Sequence, residues 1–249
     1  MREADYNKPE TLASAFAGVD RLLLVSNSDN GRRRPQHRNV IAAARDAGVG
    51  LIAYTSILHA DSTPLMLAEE HRDTEAALVE AGVPHVLLRN GWYTEVYTWR
   101  LPAALKAGML SGAAREGRIS AAARADYAEA AAAVLASGDH AGRTYELAGD
   151  MSFTLAELAA VVRQASEKAF SYQDMKPDVF RSALIGAGLP EMAADIVSDT
   201  DAGVARGALM EEGGDLRRLI GRPTTPFQET ITQFVRNLLN SERTAAPAV

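Results

Sequence analysis

The sequence predicts an α/β fold, a Rossmann-type doubly wound parallel sheet with a smaller helical lobe. Three observations carry this. Residues 51–97 read as strand, loop, helix, strand, loop, and each apolar strand stops abruptly in polar residues. From 20 to 90 strands alternate with helices, the crossover rhythm that parallel strands require. The 249 residues are 47% hydrophobic but only 6% aromatic, a composition suited to alanine-rich helices packed on a sheet. Ligands of such sheets bind at the carboxyl ends of the strands, so the polar residues that end the strands predict a cleft there.

The elements follow in order. Residues 1–6 read as the end of a strand that finishes in Asp5 and Tyr6. Residues 9–17 form a helix with Gly18 just past its end, and RLLLV at 21–25 is a continuous apolar run typical of a buried parallel strand. Residues 35–47 form a helix closed by Gly48, with Val40, Ile41 and Ala44 on one face. Strand 51–54, helix 65–81 ended by Gly82, and strand 86–88 come next. After Gly91 the rhythm changes. Residues 94–107 read as helix interrupted at Pro102, and 111–120 as irregular chain. Asp126 is expected to cap an alanine-rich helix to about residue 135, and 144–147 to form a short strand. Thr154 and Glu157 have the spacing of a capping box that opens a helix to 165, and 170–173 read as one more strand. From 176 to 239 the pattern is helical, broken at Pro177, Pro190, Pro223 and Pro226. These elements predict a Rossmann-type domain at 1–150, a mainly helical lobe at 151–240, and a disordered tail at 241–249.

Composition excludes several functions. The net charge of −6 argues against a general nucleic-acid binder. With no cysteine, thiolate metal sites, disulfides and a Cys nucleophile are ruled out. His37, His59, His71, His85 and His140 show no metal-ligand spacing, so no metal is expected. No GxSxG elbow marks a hydrolase. No apolar stretch is long enough to span a bilayer, and the first residues lack a signal-peptide core. A cytoplasmic protein is the expectation.

One expected feature is missing. A dinucleotide-binding sheet normally opens with a strand, a Gly-rich turn and a helix whose N–H groups hold the pyrophosphate. No GxGxxG or GxxGxxG follows an apolar strand here. The chain reads as beginning part-way through a Rossmann-type domain, short of a unit on the order of 45 residues. The strand at 21–25 would then be an uncovered edge that invites association into a homo-oligomer.

The chain resembles the NmrA-like atypical short-chain dehydrogenases/reductases, and among them the bacterial type 2 NAD(P)H:quinone oxidoreductases. The segments that carry this are EADY at 3–6, LLLVSNS at 22–28, PQHRNVIAAARDAGV at 35–49 and IAYTSILHAD at 52–61. LAEEH at 67–71, LLRNGWYTE at 87–95, ARADYAEAAAAV at 123–134 and YELAGD at 145–150 extend it in the same order. The resemblance implies an NADPH (or NADH) cofactor without flavin, and direct hydride transfer to a small quinone. The family lacks the Tyr-x-x-x-Lys pair of other short-chain dehydrogenases, and the matching helix here offers Glu70, His71, Thr74 and Glu75.

The resemblance also implies roles. Asp5 and Tyr6 would lie by the adenine, and Ser26, Asn27 and Ser28 along the path to the ribose. Thr55 and Ser56 would present hydroxyls to the substrate carbonyl. His71 would donate to a quinone oxygen. Asn90 suits a carboxamide or a quinone oxygen, because an amide both donates and accepts. Gly91 would let a ligand approach the backbone, Trp92 and Tyr93 offer flat faces, and Thr94 and Glu95 continue that wall. Arg124 would reach a phosphate or a substrate oxygen, with a surface salt bridge equally open. Arg32–Arg34 read as a solvated charge run. A non-catalytic NAD(P)-binding regulator and an inactive truncated fragment stand as the alternatives to the reductase.

Overall fold

The computed structural model describes residues 2–29 and 31–245. Helix α1 (Pro9–Phe16) opens on a proline, whose fixed φ suits a first turn, and buries Leu12 and Phe16 four residues apart. Next come β1 (Arg21–Leu24), α2 (Arg33–Asp46), β2 (Leu51–Ile57), α3 (Ala68–Ala81) and β3 (His85–Asn90). A 3₁₀ helix (Thr94–Arg100), α4 (Leu101–Ala107), β4 (Met109–Gly112), α5 (Arg124–Ala136) and β5 (Thr144–Leu147) follow. The chain continues through α6 (Leu155–Ser166), β6 (Ser171–Asp174), α7 (Pro177–Gly186), α8 (Glu191–Val204), α9 (Asp215–Ile220) and α10 (Phe227–Ala245).

The main sheet has the order β1-β2-β3-β5 and every pair is parallel, with Leu24 beside Tyr54, Ile57 beside Asn90, and Asn90 beside Leu147. All seven residues of β2 are buried because helices cover both of its faces. Ile52 and Tyr54 pack with Leu12, Val40, Ile41 and Leu78 from α1, α2 and α3. Leu51 and Ala53 pack on the opposite face with Ala130, Val134 and Leu216 from α5 and α9. Fully burying each large aliphatic side chain contributes about 1.5–3 kcal/mol. A third core gathers Tyr97, Leu101, Leu110, Phe153, Leu158, Ile231 and Val235, and meets the sheet at Ile57, the last residue of β2. Phe153 stacks on Phe227 in this core at 4.1 Å between centroids.

The structure departs from the sequence reading at several points. Residues 2–6 form no strand; Asp5 accepts the amides of Asn7 and Lys8 and donates its own to Thr11, making a tight turn into α1. β1 is a half-buried edge, matching the uncovered edge expected at 21–25 and not the buried strand its apolar run suggests, since among the described residues it pairs only with β2. α2 starts at Arg33, inside the supposed charge run, and β2 runs on through Thr55 and Ser56. Pro102 opens α4 rather than interrupting a helix. The irregular segment contains β4, which pairs with β6 in a small parallel sheet. Asp126 does not cap α5 but lies one turn inside it, buried, accepting from Thr225 N at 2.7 Å and Arg222 at 2.8 Å. The capping box at Thr154 and Glu157 is present in both directions. α10 extends to Ala245, so 241–245 are helix, and 246–249 lie outside the described residues. Gly82 ends α3 at φ 66°, a backbone conformation that costs a side chain about 1–2 kcal/mol.

Candidate functional site

The carboxyl ends of β1, β2 and β3 line up along one edge, and the predicted residues divide there into three groups. The first lies at the corner between β1 and α2. The Ser26 amide donates to Thr55 Oγ1 at 2.8 Å, joining the ends of β1 and β2. Asn27 is held twice: its carbonyl accepts Arg33 at 2.7 and 3.0 Å, and its side chain bonds the buried Gln36. Gln36 also donates to Asn7 at 3.0 Å and Asp29 at 3.1 Å, so it ties the turn after Asp5 and Tyr6 to the loop after β1. Tyr6 meets His37 edge-on, and Ser28 is exposed.

The second group follows β3. Asn90 is 7% exposed, and its side-chain oxygen has no hydrogen-bond partner among the described residues. Gly91 is closely packed against α5 and β5: an added Cβ would stand 3.1 Å from the Tyr127 hydroxyl and 3.2 Å from the Leu147 carbonyl, so these neighbours would have to give by a few tenths of an ångström. Trp92 and Tyr93 face a cleft, and Tyr93 packs on Tyr127 at 5.1 Å. Thr94 is buried with its hydroxyl unmatched among the described residues. Glu95 accepts the Arg124 amide at 3.0 Å through each oxygen, and so caps α5 from a distance. The exposed Arg124 guanidinium lies 5.5 Å over the Tyr93 ring, at the rim of this group.

His71 and Ser56 form the third group, on the face of the sheet that α3 covers. Ser56 donates to Glu75 at 2.6 Å, and Glu75 takes both arms of Arg89 at 3.0 and 2.8 Å. Arg89, itself buried, also reaches the exposed Asp61 and the half-buried Glu146, forming an ion network across the ends of β2, β3 and β5. His71 is 6% exposed and its Nδ1 lies 2.7 Å from the Tyr54 hydroxyl. Burial, aided by the Arg33 charge, lowers its pKa to about 3, so the ring is neutral at physiological pH. Neither residue lines the cleft.

That cleft, about 360 Å³, lies between the end of β3, the 3₁₀ helix and α8. Trp92, Tyr93, Val96 and Trp99 give it aromatic and apolar walls, and Arg33, Tyr97, Arg100 and Asp201 supply its polar groups. The Tyr97 hydroxyl is buried with no partner among the described residues. Burial, then the Asp201 charge, raises its pKa well above the usual range, so it keeps its proton. Asp201 accepts the Ala113 amide at 3.0 Å, and burial raises its carboxyl pKa, opposed by Arg100. A second cavity of about 400 Å³ adjoins through Leu67 and Ile196, with Arg34, Glu69 and Glu70 at its rim. Among the described residues no group of three or more His, Asp or Glu could hold a metal ion, and no helix is long and apolar enough to cross a membrane.

Sequence reasoning missed Arg33, Gln36, Arg89, Tyr97, Arg100 and Asp201. For the first two a signal existed. Positions 33, 36, 37, 40, 41 and 44 are the buried face of α2, so the apolar stripe read at Val40, Ile41 and Ala44 runs back one turn through the arginines. Asp201 has no local signal, because a helix far along the chain brings it to the cleft.

Known proteins share this fold. Residues 1–138 match the family model described as NAD(P)H-binding. Quinone oxidoreductase 2 of Escherichia coli (strain K12) is 49% identical over 94% of this chain and 82% of its own length. The crystal structure of NADPH-dependent quinone oxidoreductase QOR2 from Escherichia coli, complexed with NADPH, superposes with a TM-score of 0.90 over 93% of this chain and 82% of that one. Triphenylmethane reductase of Citrobacter sp., complexed with NADP(H), gives a TM-score of 0.87 at 36% identity, over 94% and 83%. NmrA, a negative transcriptional regulator, shares the fold alone, with a TM-score of 0.75 at 14% identity over 96% of this chain and 81% of that one. With the family match spanning more than half of its residues, the chain belongs to the NAD(P)H-binding family.

Proposed function

We propose that the protein is an NADPH-dependent oxidoreductase that transfers hydride directly to quinones. The observation that carries this is Tyr97: its hydroxyl is buried, protonated and unmatched among the described residues, and the residue lines an aromatic cleft at the carboxyl edge of a parallel sheet. A buried donor without a partner costs about 1–3 kcal/mol, and a substrate oxygen would recover it. A quinone offers such an oxygen on a flat ring that suits Trp92 and Tyr93.

The residues present fit the nicotinamide cofactor. The buried and unmatched Asn90 Oδ1 suits the carboxamide NH2, and Arg33 brings positive charge to the cleft. When bound, NADPH supplies the hydride that, with one proton from solvent, turns a quinone into its quinol. The protein's part is to orient the two reactants and keep water away from them. Tyr97 holds the acceptor oxygen with its O–H, a role read here in place of His71 and Ser56, whose polar atoms are engaged by Tyr54 and Glu75. Quinones accept hydride readily, so no stronger acid is needed, in keeping with an α3 that carries no Tyr-x-x-x-Lys pair. A binding-only regulator gives no account of a protonated donor buried in the cleft.

Replacing Tyr97 by phenylalanine tests this. The expected result is a fall in kcat/KM with quinones of about tenfold to a hundredfold, from loss of one hydrogen bond of about 1–3 kcal/mol. The melting temperature should hold or rise, since an unmatched hydroxyl is removed. Unchanged kinetics would count against the role.

A further inference from the structure

The cleft has a neighbour across its aromatic wall. Trp99 and Arg100 line it and also line a further cavity of about 490 Å³ that runs between α4 and α7 over β4. Ala103 and Ala107 stand four residues apart on α4, and Ala183 stands on α7, so small side chains keep the helices from filling the space between them. Arg100 is tied down at the neck: it donates to the Ser111 carbonyl and lies 4.9 Å over the Phe180 ring. Beyond it the groove offers methyl groups and rings, with Ser111 as its one polar residue type. Trp99, 48% exposed, lines both cavities.

We infer that this groove takes the aliphatic tail of a lipophilic quinone whose ring occupies the cleft, so that the substrates are alkyl- or prenyl-substituted quinones rather than bare rings. The inference rests on the quinone reductase reading. Adjacency carries it: the two cavities share Trp99 and Arg100 in their linings, so a tail on the ring would meet this apolar groove next. Each methylene moved from water into such a groove tightens binding about fourfold.

Steady-state NADPH oxidation with 1,4-benzoquinones bearing methyl, butyl and decyl groups tests it, alongside quenching of the protein's two tryptophans, Trp92 and Trp99. The expected result is a KM that falls at least about tenfold from methyl to decyl at similar kcat. Ala183→Trp, on an exposed helical position outside the cleft, should abolish that gain and leave methylbenzoquinone kinetics unchanged. Ala107→Trp serves if the first variant fails to fold. Turnover without chain-length dependence, or a dependence that survives both fillings, overturns the groove assignment alone. Chain-length-dependent quenching without NADPH oxidation supports the groove and overturns the reductase reading. Neither quenching nor turnover overturns both.

Discussion

Two imidazoles, His37 and His71, sit between α2, β2 and α3, and their burial sets a pH dependence for folding that can be worked through. His71 faces Tyr54 on β2 and Arg33 and His37 on α2, while His37 meets Thr74 at 2.9 Å. Burial, then the Arg33 charge, lowers the pKa of His71 from 6.5 to about 3 and that of His37 from 6.5 to about 4, the latter opposed by Asp73. Above pH 6.5 both rings are neutral whether the chain is folded or not, and stability is complete. As the pH falls below 6.5, the unfolded chain takes up protons that the folded chain refuses, so stability drops. At pH 5 the loss is about 2 kcal/mol for each ring, or about 4 kcal/mol as a ceiling for the pair, which share one field. Substituting His71 by phenylalanine keeps a ring in place but removes its titration. It also takes one of two partners, His71 but not Thr74, from the Tyr54 hydroxyl, at a pH-independent cost of about 1 kcal/mol. The readout is therefore the slope. Urea unfolding at pH 8, 7, 6 and 5 should show the variant losing about 2 kcal/mol less than the parent between pH 7 and 5. Equal losses in the two proteins would refute the burial account.

Two further substitutions test the site and its support. Asn90→Ala should lower turnover with quinones about tenfold to a hundredfold while the melt stays cooperative, since one orienting hydrogen bond is worth about 1–3 kcal/mol. A lowered melting temperature at unchanged turnover per folded molecule would make Asn90 a packing residue instead. Arg89→Met should destabilise the fold by about 3–5 kcal/mol in urea titrations, because Glu75 and Glu146 lose their shared cation. A loss under about 1 kcal/mol would mean that water screens this network.

Much of the sheet is legible in the sequence because its signals are local. The runs at 51–54 and 86–88 can only be buried strands between helices, and Gly82 and the Thr154–Glu157 box mark helix ends by their own chemistry. The second strand of the small sheet is also readable at Ser171–Asp174, but its partner Met109–Gly112 is not, since pairing across 60 residues leaves no trace in so short a run. The turn at Asp5 defeats a strand reading because a side chain, not a neighbouring strand, satisfies its backbone. At the site, Asn90–Tyr93 stands out because polar residues directly follow an apolar strand. Tyr97, Arg100 and Asp201 do not. They become a site only when α8 folds against the 3₁₀ helix, and a buried Tyr or Asp looks like any other in one dimension. His71 misleads for the opposite reason: its residue type suggests chemistry, while its surroundings bury it neutral against Tyr54.

The central claim is direct hydride transfer to a quinone without a flavin. The most direct measurement is the primary kinetic isotope effect on quinone-dependent NADPH oxidation by the flavin-free protein, with deuterium placed separately at each of the two C4 positions. The account predicts turnover that requires quinone, with a primary effect from one position and none from the other. NADPH that binds but is not oxidised in the presence of quinone, or oxidation that appears only when flavin is added, would contradict it.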